Sequence, residues 1–221
     1  MNYLQILLLI LVLIFSGCTQ NSQSTLKADN QTDNTKSNDK EEILKLIKQV
    51  IIWGDSKESI GLLPVLTDSK DSVYIGFDMI ELKSNLDKLK ETNYFATEFI
   101  ENYRQIIVTL DKKLRNGEYE KWFVGDLPTF IFANDYSPWW NGQESFPIEK
   151  GMVELINLDK DKGEFDFACG DKGHGCDGLE NYKMRFRVVK EDNKWKISYL
   201  EGFNFKESTR KDGVPEKTTT R

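Results

Sequence analysis

"YKMRFRVVKEDNKWKISYLEGFNF", residues 182–205, decides the fold. Tyr182, Met184, Phe186 and Val188 alternate with Lys183, Arg185 and Arg187, the two-residue period of a strand with one buried face. "KEDNK" (190–194) turns the chain. Trp195, Ile197 and Tyr199 then alternate with Lys196 and Ser198. The segment reads as a hairpin with one apolar face and one polar, basic face. The apolar face must be covered, and the chain before it supplies helices to cover it.

Working outward, "GMVELINLDKDKGEFDFAC" (151–169) reads as a second hairpin. Val153, Leu155 and Asn157 oppose Met152, Glu154 and Ile156, "DKDKG" is turn material, and Phe165 and Phe167 resume on one face. Farther upstream the period changes to that of a helix. "NDKEEILKLIKQVIIW" (38–53) starts with Asn38 or Asp39 as cap and carries an Ile43, Leu46, Ile47, Val50 stripe. Gly54 and Asp55 stop it. A short strand is expected at 72–77 and a helix at 79–89. The longest helix is expected at 94–115, with Phe95, Phe99, Tyr103, Ile106, Leu110 and Leu114 on one face and Asn116-Gly117 as its stop. Helices followed by hairpins predict an α+β fold: N-terminal helices packed on a curved antiparallel sheet built from C-terminal hairpins.

The chain begins differently. In "MNYLQILLLILVLIFSGCTQ" an apolar run from Ile6 to Phe15 spans about 15 Å as a helix, half of a bilayer core and the length of a signal-peptide hydrophobic region. "FSGC" (15–18) resembles the lipobox of bacterial lipoproteins, with Phe15 where leucine is usual. That resemblance implies diacylglycerol on Cys18, cleavage before it, and a lipid-anchored location on the bacterial cell envelope, outside the cytoplasm. Residues 19–38 carry only Leu26 as a large aliphatic and no aromatic, so they are expected to be a disordered polar tether. The expected organisation is a signal peptide (1–17), tether (18–38), α+β domain (39–205) and disordered tail (206–221).

The helix-then-hairpin order, ending in "RFRVVKEDNKWKISYLEGF", resembles the cone-shaped α+β fold of the nuclear transport factor 2-like superfamily, as found in uncharacterised bacterial envelope lipoproteins. The resemblance implies a hollow between sheet and helices that holds a ligand, hosts an enzyme site, or is filled by side chains.

Four features compete for function. The net charge of -6 argues against a nucleic-acid partner, which needs a basic face. The three cysteines leave one over after pairing, and Cys18 as the lipid carrier accounts for it. "CGDKGHGC" (169–176) then has three readings. In an oxidising compartment Cys169 and Cys176 form a disulfide, closing a loop of about eight residues for ~2.5 kcal/mol. Alternatively Cys169, His174 and Cys176 with Asp171 or Asp177 bind a metal, or a thiol pairs with His174 as a nucleophile. The disulfide is favoured and no metal is expected, because paired zinc cysteines are usually closer in sequence.

"FANDYSPWWNGQESF" (132–146) is an aromatic loop in which Tyr136, Trp139 and Trp140 are either core plugs or stacking platforms for a ligand. The basic strip Lys183, Arg185, Arg187 and Lys196 either meets an anion or keeps the sheet face soluble. Catalytic motifs are sparse. The sequence has no phosphate loop, no Gly-x-Ser-x-Gly elbow and a single histidine, leaving Asp126, Asp135, Asp166 and Tyr136 as acid–base types. The expectation is a non-catalytic binding module without a cofactor, for a small molecule, peptide or protein partner. A carboxylate–tyrosine hydrolase or isomerase and an inhibitor or immunity-type protein are the alternatives.

Overall fold

The computed structural model describes residues 24–142, 151–169 and 182–213. Contacts divide the chain into two units, Met1–Glu41 and Glu42–Arg221. In the first unit, residues 24–41 are helical and form the N-terminal part of α1 (Ser24–Gly54). The helix therefore starts before the expected cap at Asn38 or Asp39, and residues 24–38 of the expected tether lie within it. Residues 24–40 contain neither Gly nor Pro, the two residues that most oppose a helix once it is nucleated.

In the second unit, the remainder of α1 buries Ile43, Leu46, Ile47, Val50 and Ile51, the predicted stripe extended by one residue. A two-stranded antiparallel sheet follows, β1 (Val65–Asp68) and β2 (Val73–Phe77). β1 went unrecognised because four residues carry too little pattern to read. Asp78 caps α2 (Met79–Glu91), its carboxylate accepting from the Ile80 and Glu81 N–H groups.

α3 (Thr97–Arg115) buries Phe99, Ile100, Tyr103, Ile106, Ile107 and Leu110. It ends where expected: Gly117, at φ +70°, donates its N–H to the Leu114 carbonyl at 3.1 Å. At its other end Ala96 provides no side-chain cap. Glu191, from the far end of the sheet, accepts the Thr97 N–H instead at 3.1 Å. The chain just before α3 is laced to the sheet: Ala96 N–H donates to Ile197 at 2.9 Å and Ile197 N–H to Tyr94 at 2.8 Å.

The main sheet is antiparallel in the order β3 (Gly151–Leu158), β4 (Lys162–Cys169), β5 (Lys183–Glu191) and β6 (Lys194–Leu200). Helices therefore precede a sheet of C-terminal hairpins, an α+β architecture. Phe165, Phe167, Met184, Phe186 and Ile197 are fully buried on its inner face. Asp192 and Asn193 both take positive φ in the two-residue turn joining β5 to β6, as a type I′ hairpin requires.

Two register shifts interrupt the alternation. In β3, Leu155 pairs with Phe165 but Asn157 pairs with Glu164, so Ile156 is an extra residue. In β6, Val188 pairs with Ile197 but Arg187 pairs with Tyr199, so Ser198 is an extra residue. Each bulge reverses the faces beyond it. Asn157 and Tyr199, expected on the apolar side, therefore lie on the polar side. Leu200, rather than Tyr199, takes the buried position at 0% exposure. Burying a leucine leaves no hydroxyl to satisfy, which gives the bulge its driving force.

Beyond the sheet lie a 3-10 turn (Glu201–Phe203) and α4 (Phe205–Ser208). Residues 206–213, expected to be part of a disordered tail, are instead folded. Ser208 and Thr209 are buried, and the Thr209 carbonyl accepts Lys113 Nζ and Tyr119 Oη, both at 2.8 Å. The Phe132 N–H donates to Ser208, and the Asp212 N–H to Thr129. These residues fill backbone valences of the 129–132 segment, a tertiary role that their polar composition does not advertise.

Candidate functional site

The space between sheet and helices is occupied by side chains. Trp139 is 2% exposed, and its ring lies 4.7 Å from Phe203, 5.3 Å from Trp53, 5.8 Å from Phe95 and 6.4 Å from Phe99, measured between centroids. These rings and the inner face of the sheet form one core cluster. Trp139 is thus a core plug and offers no face to a ligand, which corrects its candidacy as a stacking platform. Trp140 is partly buried against the same core, and Tyr182 Oη donates to its carbonyl. Tyr136 is half-buried, and burial, reinforced by the nearby Glu207 charge, pushes its phenol up to about 12. The loop is wound through positive φ at Ala133, Asp135 and Asn141, which turns Pro138 and Trp139 inward.

The acid–base candidates do not line the interior. Asp166 is 8% exposed, but it belongs to the outer face of the sheet and is held by Arg185, with Nε 2.5 Å from Oδ1. The other buried polar residues are Asn85, Ser208 and Thr209, so no carboxylate lines the interior among the described residues. Nor do three His, Cys, Asp or Glu side chains converge on a metal position among them.

The outer face is where charge collects. The basic strip is neutralised by acids across the strands. Lys183 Nζ reaches Glu154 at 2.7 Å, Arg185 reaches Glu164 at 3.1 Å as well as Asp166, and Arg187 Nε reaches Glu164 at 3.2 Å. Arg185 also donates its backbone N–H to Glu201 at 2.8 Å. Hydrogen bonds from Arg185 and then Arg187 hold the Glu164 carboxyl below its usual range. Lys196, the fourth basic residue, pairs with Glu191 at 3.5 Å.

One row crosses all four strands. Asn157 faces Glu164, Glu164 faces Arg187, and Arg187 faces Tyr199. Asn157 Nδ2 donates to Glu164 at 3.2 Å, and the Arg187 guanidinium lies 4.7 Å from the Tyr199 ring centroid. A cleft of about 350 Å³ opens over this row. Glu98, in the first turn of α3, and Lys162 also line it. The lacing of residues 94–96 to β6 sets Glu98 at that edge.

Of the sequence candidates, Arg185 and Arg187 sit on this face, and Arg187 lines the cleft. Tyr136, Trp139 and Trp140 do not line it. Asn157, Glu164, Tyr199, Glu98 and Lys162 were missed. For Asn157 and Tyr199 the reason is the bulges, which strict alternation does not reveal. For Glu98 it is a contact between elements far apart in sequence. Cys18, His174 and Cys176 lie outside the described residues. Cys169 ends β4 with its backbone opposite Gly151.

No model of a known family matches the chain, and no curated protein matches it. Among solved structures, a protein of unknown function from Bacteroides thetaiotaomicron VPI-5482, a crystal structure at 2.10 Å resolution, is 14% identical. It covers 56% of this chain and 98% of its own at a TM-score of 0.23, a likeness too slight to carry fold or function across.

Proposed function

We propose that the protein is a lipid-anchored envelope lipoprotein whose α+β domain is a non-catalytic binding module, with the outer face of its main sheet as the binding surface. The observation that carries this reading is the contrast between an interior that the described residues fill with side chains and the cleft of about 350 Å³ over the Asn157–Tyr199 row. The resemblance to the cone-shaped superfamily allows a ligand in the hollow. Among the described residues Trp139 and Phe203 occupy that space, which supports a ligand outside it.

A carboxylate–tyrosine enzyme in the hollow finds no carboxylate there among the described residues, Asp166 being turned outward onto Arg185. An inhibitor or immunity-type protein is the second reading, because it too is compatible with a filled interior. The charge-paired outer face is not the acidic patch such docking would use.

Two measurements test the proposal. Replacing Cys18 with Ala should abolish incorporation of labelled fatty acid and release the protein from the membrane fraction; unchanged membrane retention and labelling would overturn the anchor. Full-length protein purified from native membranes should carry a ligand or partner identifiable by mass spectrometry. Arg187→Glu should deplete it, and retention at wild-type level would remove the outer face from consideration.

A further inference from the structure

Resting on the outer face as the binding surface, we propose that the row Asn157–Glu164–Arg187–Tyr199 takes an uncharged polyhydroxylated ligand, a short carbohydrate chain lying across the strands. Three observations lead there.

First, the row is built rather than inherited from the pleat. Two separate bulges, Ile156 in β3 and Ser198 in β6, each turn one side chain from the apolar side to the polar side, and both deliver it to the same row. Bulges commonly re-aim side chains next to functional sites. A single bulge is explained by packing, as Leu200 shows. The bulge at Ile156 likewise returns Leu158 to the inner face against the core, at the cost of leaving Ile156 45% exposed; what the two bulges share is the polar row they fill.

Second, the cleft is electrically balanced. Glu98 and Glu164 oppose Lys162 and Arg187 among its lining residues. A phosphate, sulfate or polycarboxylate would meet two carboxylates on entry, and a cation would meet a guanidinium and an ammonium. Like-charge juxtaposition of that kind selects against both. A neutral ligand meets neither penalty.

Third, the row alternates acceptors and donors. Asn157 offers its amide oxygen and its second amide N–H, Glu164 the remaining lone pair of Oε2, Arg187 the guanidinium nitrogens beyond its Nε bond, and Tyr199 a hydroxyl that already accepts from Asn204 Nδ2 at 3.3 Å and so has its proton to give. Vicinal hydroxyls, each both donor and acceptor, match such an alternation in either direction. Strands are spaced about 4.8 Å apart, so the row is about 14 Å long, the reach of a chain of a few sugar units rather than of one.

The test titrates the full-length protein in detergent with neutral di-, tri- and tetrasaccharides of hexose and N-acetylhexosamine. Calorimetry and backbone amide shifts serve as readouts, and a zwitterionic tripeptide is the comparison probe. The expected result is saccharide binding that strengthens from di- to trisaccharide and shifts the amides of Asn157, Arg187 and Tyr199. Asn157→Ala and Tyr199→Phe should each weaken it about three- to tenfold. Trp140→Phe, away from the cleft, should leave it unchanged. Saccharide binding that survives both row variants overturns the proposal. Tripeptide binding without saccharide binding, lost in the same variants, overturns the carbohydrate and keeps the surface. Row amides that respond to neither probe, with Arg187→Glu also retaining the native partner, overturn both.

Discussion

The two faces of the main sheet are made by the same four strands yet organised by different rules. The inner face is apolar and filled, and between the bulges every second residue points in. The outer face is a ladder of paired charges, and its most structured row exists only because the alternation fails twice. Packing rewards any apolar residue of roughly the right volume, whereas a polar row needs particular atoms at particular registers. The difference locates stability on one side of the sheet and, under the proposed function, recognition on the other.

The largest expected effect breaks the inner face. Phe186 is fully buried in the middle of β5, and Phe186→Ala should cost about 3–5 kcal/mol in urea unfolding. A loss under about 1 kcal/mol would mean the core around it is not close-packed. Next comes the join between the sheet and the aromatic loop. A Cβ on Gly202 would collide with the Pro138 carbonyl, which is backbone and cannot swing aside. Gly202→Ala should therefore cost about 1–3 kcal/mol, with a change in tryptophan fluorescence from displaced Trp139.

The outer face should respond more gently. Arg185→Leu removes the partner of Asp166, whose side chain is 12% exposed, while the arginine itself is 38% exposed. About 1 kcal/mol is expected from the same unfolding assay. Acid should find the same ladder. The Glu164 carboxyl is held below its ordinary 4.5, so its contribution is complete well above that pH and is lost as the pH falls below it. The stability difference between wild type and Glu164→Gln should accordingly shrink on acidification. A difference that stays constant to low pH would show that the ladder does not couple to folding. Smallest of all, Tyr199→Phe should change stability by no more than about 0.5 kcal/mol. A larger loss would mean the hydroxyl serves folding, not recognition.

Much of this was readable from residues. The stripe of α3 and its stop at Gly117, the inward Met184, Phe186 and Val188, and the α+β order all follow from periods of 3.6 and 2, which depend on local geometry alone. The boundaries were less legible. The polar 206–213 segment folds because it satisfies backbone groups near Thr129 and Phe132, partners distant in sequence. The aromatic loop carried an ambiguity that only packing resolves, since Trp139 as a plug and Trp139 as a platform have the same letters around them.

What the sequence by itself determined is the inner face as far as the bulges, because apolar burial is non-directional and shows in the pattern of side chains; past the β6 bulge the buried residue is Leu200, not Tyr199. Only the tertiary structure decided the outer row. Asn157 and Tyr199 reach it through bulges whose positions depend on how neighbouring strands pair, and Glu98 arrives from a helix pinned to β6. Pairing register and helix placement are properties of the assembled sheet, not of any one stretch of chain.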